Sequence, residues 1–291
     1  MKQYTQKTIN DLLPFPEPQM NKYSRGKVVL IVGSASYPGA AALASIASQR
    51  AGAGYTEVFV DDSVVAQVQA THSSLVVRSW DMWDSSSLKP STPEHPLAYV
   101  IGSGFDTNDP YVGNILRRLL KNAKAPVLVD GGALKLMPAR KMRDMCKQRY
   151  QEGYPTIVTP HGGEAKVLAS VFALPVDDQE ELALTLSQAY GAITVLKGPD
   201  TYISDGDHVY SMTEGTSALA KAGTGDVLAG IIGAFLAQGL GPIEACVLGT
   251  TLHARAGRLA AEELTSISVC AEDVLRFIPP AIKDMSGGRV S

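Results

Sequence analysis

The chain has 291 residues, 45% hydrophobic and 19% charged, with a formal net charge of −3. That size and composition suit one large or two small globular domains with a sizeable core, and the near-neutral charge argues against a nucleic-acid or other polyanion partner. Cys146, Cys246 and Cys270 lie far apart without metal-ligand spacing, no apolar run reaches membrane-spanning length, and the N-terminus lacks a signal-peptide core, so a cytoplasmic protein with free thiols and no membrane partner is expected.

Residues 1–21 read as a lead-in: a short helix-like piece, then a proline-rich stretch. The pattern turns α/β at about Lys27. "KVVLIVG" is a continuous apolar run ending in glycine, as expected of a strand buried on both faces. "GAAALASIASQRAGAG" follows as a helix of small residues with a glycine stop, then "YTEVFV" as a strand. "LAYVIGSG" and "APVLVDGG" repeat the strand-then-glycine pattern, with the helix-like "DPYVGNILRRLLKNAK" between them. "TIVTP" is a strand; "GGEAKVLASVFAL" and "DDQEELALTLSQAYG" are helical. "AITVLKG", "TYISDG" and "HVYSM" read as short strands, the last two joined by a tight turn at "DGDH". From Thr224 onward the chain reads as helices: "GDVLAGIIGAFLAQG", "PIEACVLGTTLHARAGRLAAEEL" and "AEDVLRFI". Alternating strands and helices imply a mainly parallel sheet covered on both faces, with residues 22–291 forming one domain. Ligands of such sheets sit outside the carboxyl ends of the strands, which singles out the loops "GSASYPG", "GSGFD", "DGGA", "TPHGGE" and "KGPDT" by position.

Three strings could carry chemistry. In "AGTGD" a glycine-rich turn leads into a helix, so backbone amides and the positive helix end can form an anion hole. Asp226 there is either a helix cap or a general base facing a reacting hydroxyl. The string is not a Walker A loop, because no Gly-Lys-Ser/Thr follows the glycines. In "VTPHGGEAKVL", His161 follows a strand and Glu164 falls in the first helical turn; they either cap that helix or meet a polar substrate and, through water, a metal-bound phosphate. In "VLKGPDT", Lys197 ends a strand and is either solvated or set against nucleotide phosphates. His253 reads as helix packing, and His72, His95 and His208 as surface residues.

Taken in order, "VVLIVGSASYPGAAALASIASQRAGAGYTEVF", "YVIGSGF", "APVLVDGGALKLM", "VTPHGGEAKVL", "AITVLKGPDTYISDG" and "AGTGDVLAGIIGAFLAQG" resemble the ADP/ATP-dependent NAD(P)H-hydrate dehydratases of the ribokinase-like superfamily. The resemblance spans roughly residues 22–278. It implies a ribokinase-like three-layer α/β/α sandwich with a mainly parallel central sheet. The implied activity is repair of NADH and NADPH hydrated at C6 of the nicotinamide ring: phosphorylation of the C6 hydroxyl by ADP or ATP with Mg2+, then phosphate elimination. It further implies Asp226 as base, Gly223, Thr224 and Gly225 as anion hole, and Lys197, Gly198, Pro199, Asp200, Thr201 and Gly225 at the nucleotide. Ala40, Gly104, His161 and Asp226 would meet the hydrated dinucleotide, and Glu164 the metal through water. A homotetramer is also implied, and, with so short a lead-in, the epimerase domain often fused ahead of family members is expected to be absent.

The chain departs from the family pattern in two loops, and more mildly where the family's T-P-H-P-G-E reads "TPHGGE" here. Where the family reads G-N-P-G-x-A-T-G-G-[ST]-G-D, this chain reads Gly215-Thr216-Ser217-Ala218-Leu219-Ala220-Lys221-Ala222 before Gly223-Thr224-Gly225-Asp226, so Lys221 adds a cation expected beside the anion hole. Where it reads D-A-D-A-L-N, this chain has Asp130-Gly131-Gly132-Ala133-Leu134-Lys135. These changes keep two other readings open: a small-molecule kinase of the same superfamily, and a nucleotide-binding homologue without catalysis.

Overall fold

A computed structural model of the chain describes residues 4–289. Nine strands form one sheet: β1 (Lys27–Ile31), β2 (Tyr55–Val60), β3 (Val76–Ser79), β4 (Leu97–Ile101), β5 (Val127–Val129), β6 (Thr156–Val158), β7 (Ile193–Leu196), β8 (Thr201–Ser204) and β9 (Val209–Met212). Their order is β3-β2-β1-β4-β5-β6-β7-β8-β9, parallel from β3 to β7 and antiparallel for β8 and β9. The chain winds outward from β1 to β3 and then crosses to β4 on the other side of β1. The topological switch point therefore lies between β1 and β4, where α/β sheets open a crevice.

Successive residues of the central strands feed opposite cores, which is why these strands read as unbroken apolar runs. Val28, Leu30 and Val32 face one layer with Ala98 and Val100; Val29 and Ile31 face the other with Tyr99 and Ile101. The first layer holds α2 (Pro38–Arg50), α3 (Val65–Gln69), α8 (Thr224–Ala237), α9 (Pro242–Leu264) and α10 (Ala271–Met285). The second holds α4 (Pro110–Asn122), α5 (Arg140–Gln151), α6 (Gly162–Ser170) and α7 (Gln179–Tyr190). The short α1 (Gln6–Asn10) lies against α9, and the Tyr4 hydroxyl donates to Glu244 at 2.9 Å. No helix among the described residues is long and apolar enough to cross a membrane.

The small residues of α2 have a packing purpose. α2 and α8 make the most extensive helix contact in the fold, and a Cβ on Gly230 would lie 2.1 Å from the Ala44 carbonyl oxygen. That close approach seats the start of α8 beside the switch point. The edge strand β3 and helices α3 and α5 have no counterpart among the elements expected from sequence. α5 has a polar sequence, and its buried side includes Arg149, whose guanidinium donates to the Ala123 and Ala125 carbonyls and to Thr156. α10 corrects an expected end near Ile278: it continues through Pro279 and Pro280 to Met285. Its stripe Val274, Ile278, Ala281 and Met285 is buried in the first layer, and that burial outweighs the backbone hydrogen bonds the prolines remove.

Candidate active site

A cavity of about 1010 Å3 opens at the carboxyl ends of the central strands. Its walls come from the β1–α2 loop (Ser36 to Ala40), the β4–α4 loop (Gly104, Phe105), the segment after β5 (Gly131, Gly132, Leu134, Lys135), the start of α6 (His161, Gly163, Glu164) and the turn into α8 (Ala222, Gly223, Asp226). Ala40, Gly104, His161, Glu164, Gly223 and Asp226, expected together from the sequence, thus share one cavity. Gly198, Pro199 and Asp200 lie outside it on the exposed turn after β7, and Thr201 is buried at the start of β8.

The turn into α8 sets aside the reading of Asp226 as a helix cap. Gly223 is the N-cap residue, with φ +91° and no side-chain cap; that left-handed backbone favours glycine. Asp226 stands three residues on, in the first helical turn, and does not cap the helix. Among the described residues, neither Gly225 nor Asp226 donates its amide to a backbone carbonyl, so the helix start keeps free donors for an anion. The Thr224 hydroxyl is already used: it donates to the Leu219 and Lys221 carbonyls at 2.7 and 2.8 Å and ties the turn together. The Thr224 amide also donates to the Lys221 carbonyl, at 3.4 Å, so of the expected anion-hole residues Gly225 is the one whose amide stays free, beside that of Asp226. Lys221 is a correction. Its ammonium points away from the turn and donates to the Ile267 carbonyl at 2.6 Å, because the α9–α10 loop supplies an acceptor there.

Burial pushes the Asp226 carboxyl up to about 7; the nearby Asp130 charge raises it further, while Lys197 and the Ser103 hydroxyl pull it down. A carboxylate poised near neutrality suits a general base. Behind it lies a buried polar cluster centred on Asp130 at the end of β5. Its Oδ1 accepts from Thr159 Oγ1 at 2.6 Å and from the Lys197 ammonium at 3.0 Å; its Oδ2 accepts from Ser103 Oγ at 2.9 Å. Burial alone would lower the pKa of Lys197, but Asp130, Glu164 and Asp226 together raise it, so the ammonium stays charged. A Cβ on Gly225 would lie 3.4 Å from that ammonium, which places Lys197 under the helix start.

At the start of α6 the capping reading holds, while His161 and Glu164 also line the cavity. His161 is the N-cap residue, its Nδ1 accepting from the Gly163 and Glu164 amides at 3.0 and 3.3 Å, and Glu164 Oε2 accepts from the His161 amide at 2.9 Å. With Nδ1 an acceptor, Nε2 is the ring nitrogen left to carry a proton; it stands 3.5 Å from Glu164 Oε2, on the cavity wall. His253 is buried in α9, and burial lowers its pKa to about 4, so its ring is neutral and packs the helix. Sequence reasoning did not assign roles to Asp130, Ser103 and Thr159. The available signal was positional: each stands at or just past the end of an apolar strand.

A family model described as NAD(P)H-hydrate dehydratase matches residues 28–280. The ADP-dependent (S)-NAD(P)H-hydrate dehydratase of Xanthomonas campestris is 28% identical, over 94% of each chain. The bifunctional NAD(P)H-hydrate repair enzyme Nnr of Moorella thermoacetica is 30% identical over 94% of this chain, which spans about half (52%) of that relative's length. Among solved structures, the Bacillus subtilis ADP/ATP-dependent NAD(P)H-hydrate dehydratase, co-crystallised with ATP/Mg2+, superposes with a TM-score of 0.81 at 25% identity, over 97% of this chain and 98% of that one. With the ribokinase-like sheet, the family match over most of its length and these relatives, the chain belongs to the NAD(P)H-hydrate dehydratase family.

Proposed function

We propose that this protein dehydrates hydrated NADH or NADPH at the expense of ADP or ATP. The observation that carries this reading is Asp226: a carboxylate held near neutrality, inside the large cavity, one residue past an uncapped glycine turn. Its ionised form accepts the proton of the C6 hydroxyl as that oxygen takes the terminal phosphoryl group of the nucleotide. Free amides at Gly225 and Asp226, and the charged Lys197 beneath them, stabilise the negative charge that develops there. Phosphate then leaves C6 while C5 loses a proton, restoring the ring double bond; hydroxide would be a far poorer leaving group. His161 Nε2 and the walls at Ala40 and Gly104 orient the hydrated ring.

The residues fit a nucleotide–magnesium pair in a particular way. The helix start suits phosphate. No three His, Cys, Asp or Glu side chains converge on a cation site among the described residues. Glu164 would therefore reach a magnesium ion through water, with the nucleotide phosphates as its main ligands; the ion supplies charge neutralisation on those phosphates. Lys197 to Thr201 would line the nucleotide. The assignment covers residues 22–291 as one catalytic domain with 1–21 as its lead-in, and a homotetramer, which light scattering on the eluted protein tests.

The decisive experiment incubates hydrated NADH or NADPH with the protein, Mg2+ and either nucleotide, and follows recovery of the reduced-nicotinamide absorbance. Recovery is expected, and Asp226→Asn is expected to lower it by about 10²-fold or more. Undiminished turnover in that variant contradicts the role of Asp226. A stable phosphorylated product would instead mark a kinase.

A further inference from the structure

The cavity is larger than its reactive end requires. Asp226 and Glu164 are half-buried on its floor, whereas Tyr37, Lys135 and Val167 are exposed at its rim. A dinucleotide brings at least two negative charges in its pyrophosphate, and the floor already carries two carboxylates. Of the other lysines near the site, Lys197 is held beneath the start of α8 against Asp130, at the reactive end, and Lys221 is committed to the Ile267 carbonyl. Lys135 is the one lysine or arginine among the lining residues, and no carboxylate lies within ion-pair distance of its ammonium among the described residues. It projects from the two-turn 3-10 helix Gly131–Leu136, anchored beneath by buried Ala133 and Leu134. Tyr37 is equally fixed at its backbone: its amide donates to the Ser34 carbonyl at 3.0 Å and Pro38 begins α2. The residue is 57% exposed, which leaves its ring open to a ligand in the cavity.

We infer that Lys135 and Tyr37 form a subsite for the non-reacting half of the dinucleotide, Lys135 holding one of its phosphate groups and Tyr37 offering a ring face to the purine. The inference rests on the dinucleotide substrate proposed above, and it adds the residues that recognise the part of that substrate remote from the chemistry. Remote binding of this kind holds the reactive ring in place and shows itself in KM.

The test compares wild type, Lys135→Gln, Lys135→Arg and Tyr37→Ala. Lys135→Gln is expected to raise KM for the hydrated dinucleotide about 5- to 10-fold, carried by KM rather than kcat, with Lys135→Arg restoring most of it. Added salt should raise KM in wild type more than in Lys135→Gln. An equal penalty on the NADH and NADPH hydrates places Lys135 on the pyrophosphate; a penalty confined to the NADPH hydrate places it on the ribose phosphate. Tyr37→Ala is expected to raise KM similarly, with Tyr37→Phe near wild type. Equilibrium binding of NADH and NADPH, followed by their fluorescence, gives a readout independent of turnover. Binding weakened by Lys135→Gln in a protein that turns over no hydrate would uphold the subsite and reject the dehydratase reading. Binding and KM both within twofold of wild type in Lys135→Gln would overturn the subsite.

Discussion

Asp226 and Lys197 show how a single site residue trades stability for chemistry. Asp226 titrates in the ordinary carboxylate range when unfolded and at about 7 when folded. Between those values the unfolded chain has released a proton that the folded chain keeps, so the associated stability is full below about pH 4 and is lost as pH rises to 7. Asp226→Asn removes that loss. Its melting temperature should exceed that of wild type at pH 8, by no more than about 4 kcal/mol in free energy, and the margin should shrink at pH 5. On the proposed mechanism catalysis runs the other way: an ionised Asp226 is needed as base, so wild-type kcat/KM should rise with pH through about 7. Lys197→Met removes the cation that pulls Asp226 down and leaves Asp130 without its charged partner. Its acid limb should shift to higher pH, and stability should fall by about 3–5 kcal/mol, measurable by denaturant titration at pH 8. An acid limb unmoved in that variant would show that Lys197 does not act on Asp226. Asp226 and Asp130 were not equally legible. Asp226 announces itself through its immediate neighbours, the glycine turn and the helix it enters. Asp130 draws its meaning from Ser103, Thr159 and Lys197, which lie 27, 29 and 67 residues away, and spacing along the chain carries no trace of that meeting.

Helix pairs bring the site together, and here local propensity and packing can be set against each other. Gly230 and Gly113 both sit inside helices, where alanine favours the helix by about 0.5–1 kcal/mol. Around Gly113 an added Cβ meets only Leu136 Cδ1 at 3.9 Å, so Gly113→Ala should stabilise by roughly that amount. Around Gly230 it meets the Ala44 carbonyl oxygen at 2.1 Å, and neither backbone can yield without moving α2 off α8. Gly230→Ala should therefore destabilise by about 1–3 kcal/mol in spite of its better propensity. Opposite signs in parallel urea titrations confirm the contact; equal signs reject it. The same contrast explains which elements were readable. α2 and α8 are strongly patterned and appear where expected, because their small residues meet each other. α5 hides its buried side behind a basic sequence, since Arg149 satisfies three backbone carbonyls where an apolar residue would ordinarily stand. α10 outruns its two prolines because tertiary burial, invisible in a local window, holds the last turns.

Across the whole molecule, the alternation of strand and helix revealed a parallel sheet, but not the crossing from β3 to β4 that opens the crevice. The site draws on both sides of that crossing. The β1–α2 loop and the turn into α8 line one wall, and the β4–α4 loop, the segment after β5 and the start of α6 line the other, all strung on a single nine-stranded sheet between two continuous cores. A ligand that bridges the walls is therefore linked to the unfolding of the whole sheet rather than of one segment. Saturating nucleotide at about 100 times its dissociation constant stabilises the folded state by about 2.7 kcal/mol, which for a domain of this size raises the melting temperature by about 5 °C. Calorimetry should show one transition that moves up intact with ADP and Mg2+ or with ATP and Mg2+, and the nucleotide giving the larger shift at equal concentration is the one the site prefers. Loss of the shift in Lys197→Met would tie it to the pocket under α8. A second transition that stays in place when nucleotide is added would instead mean that the two walls unfold separately, and that the crevice is not one cooperative unit.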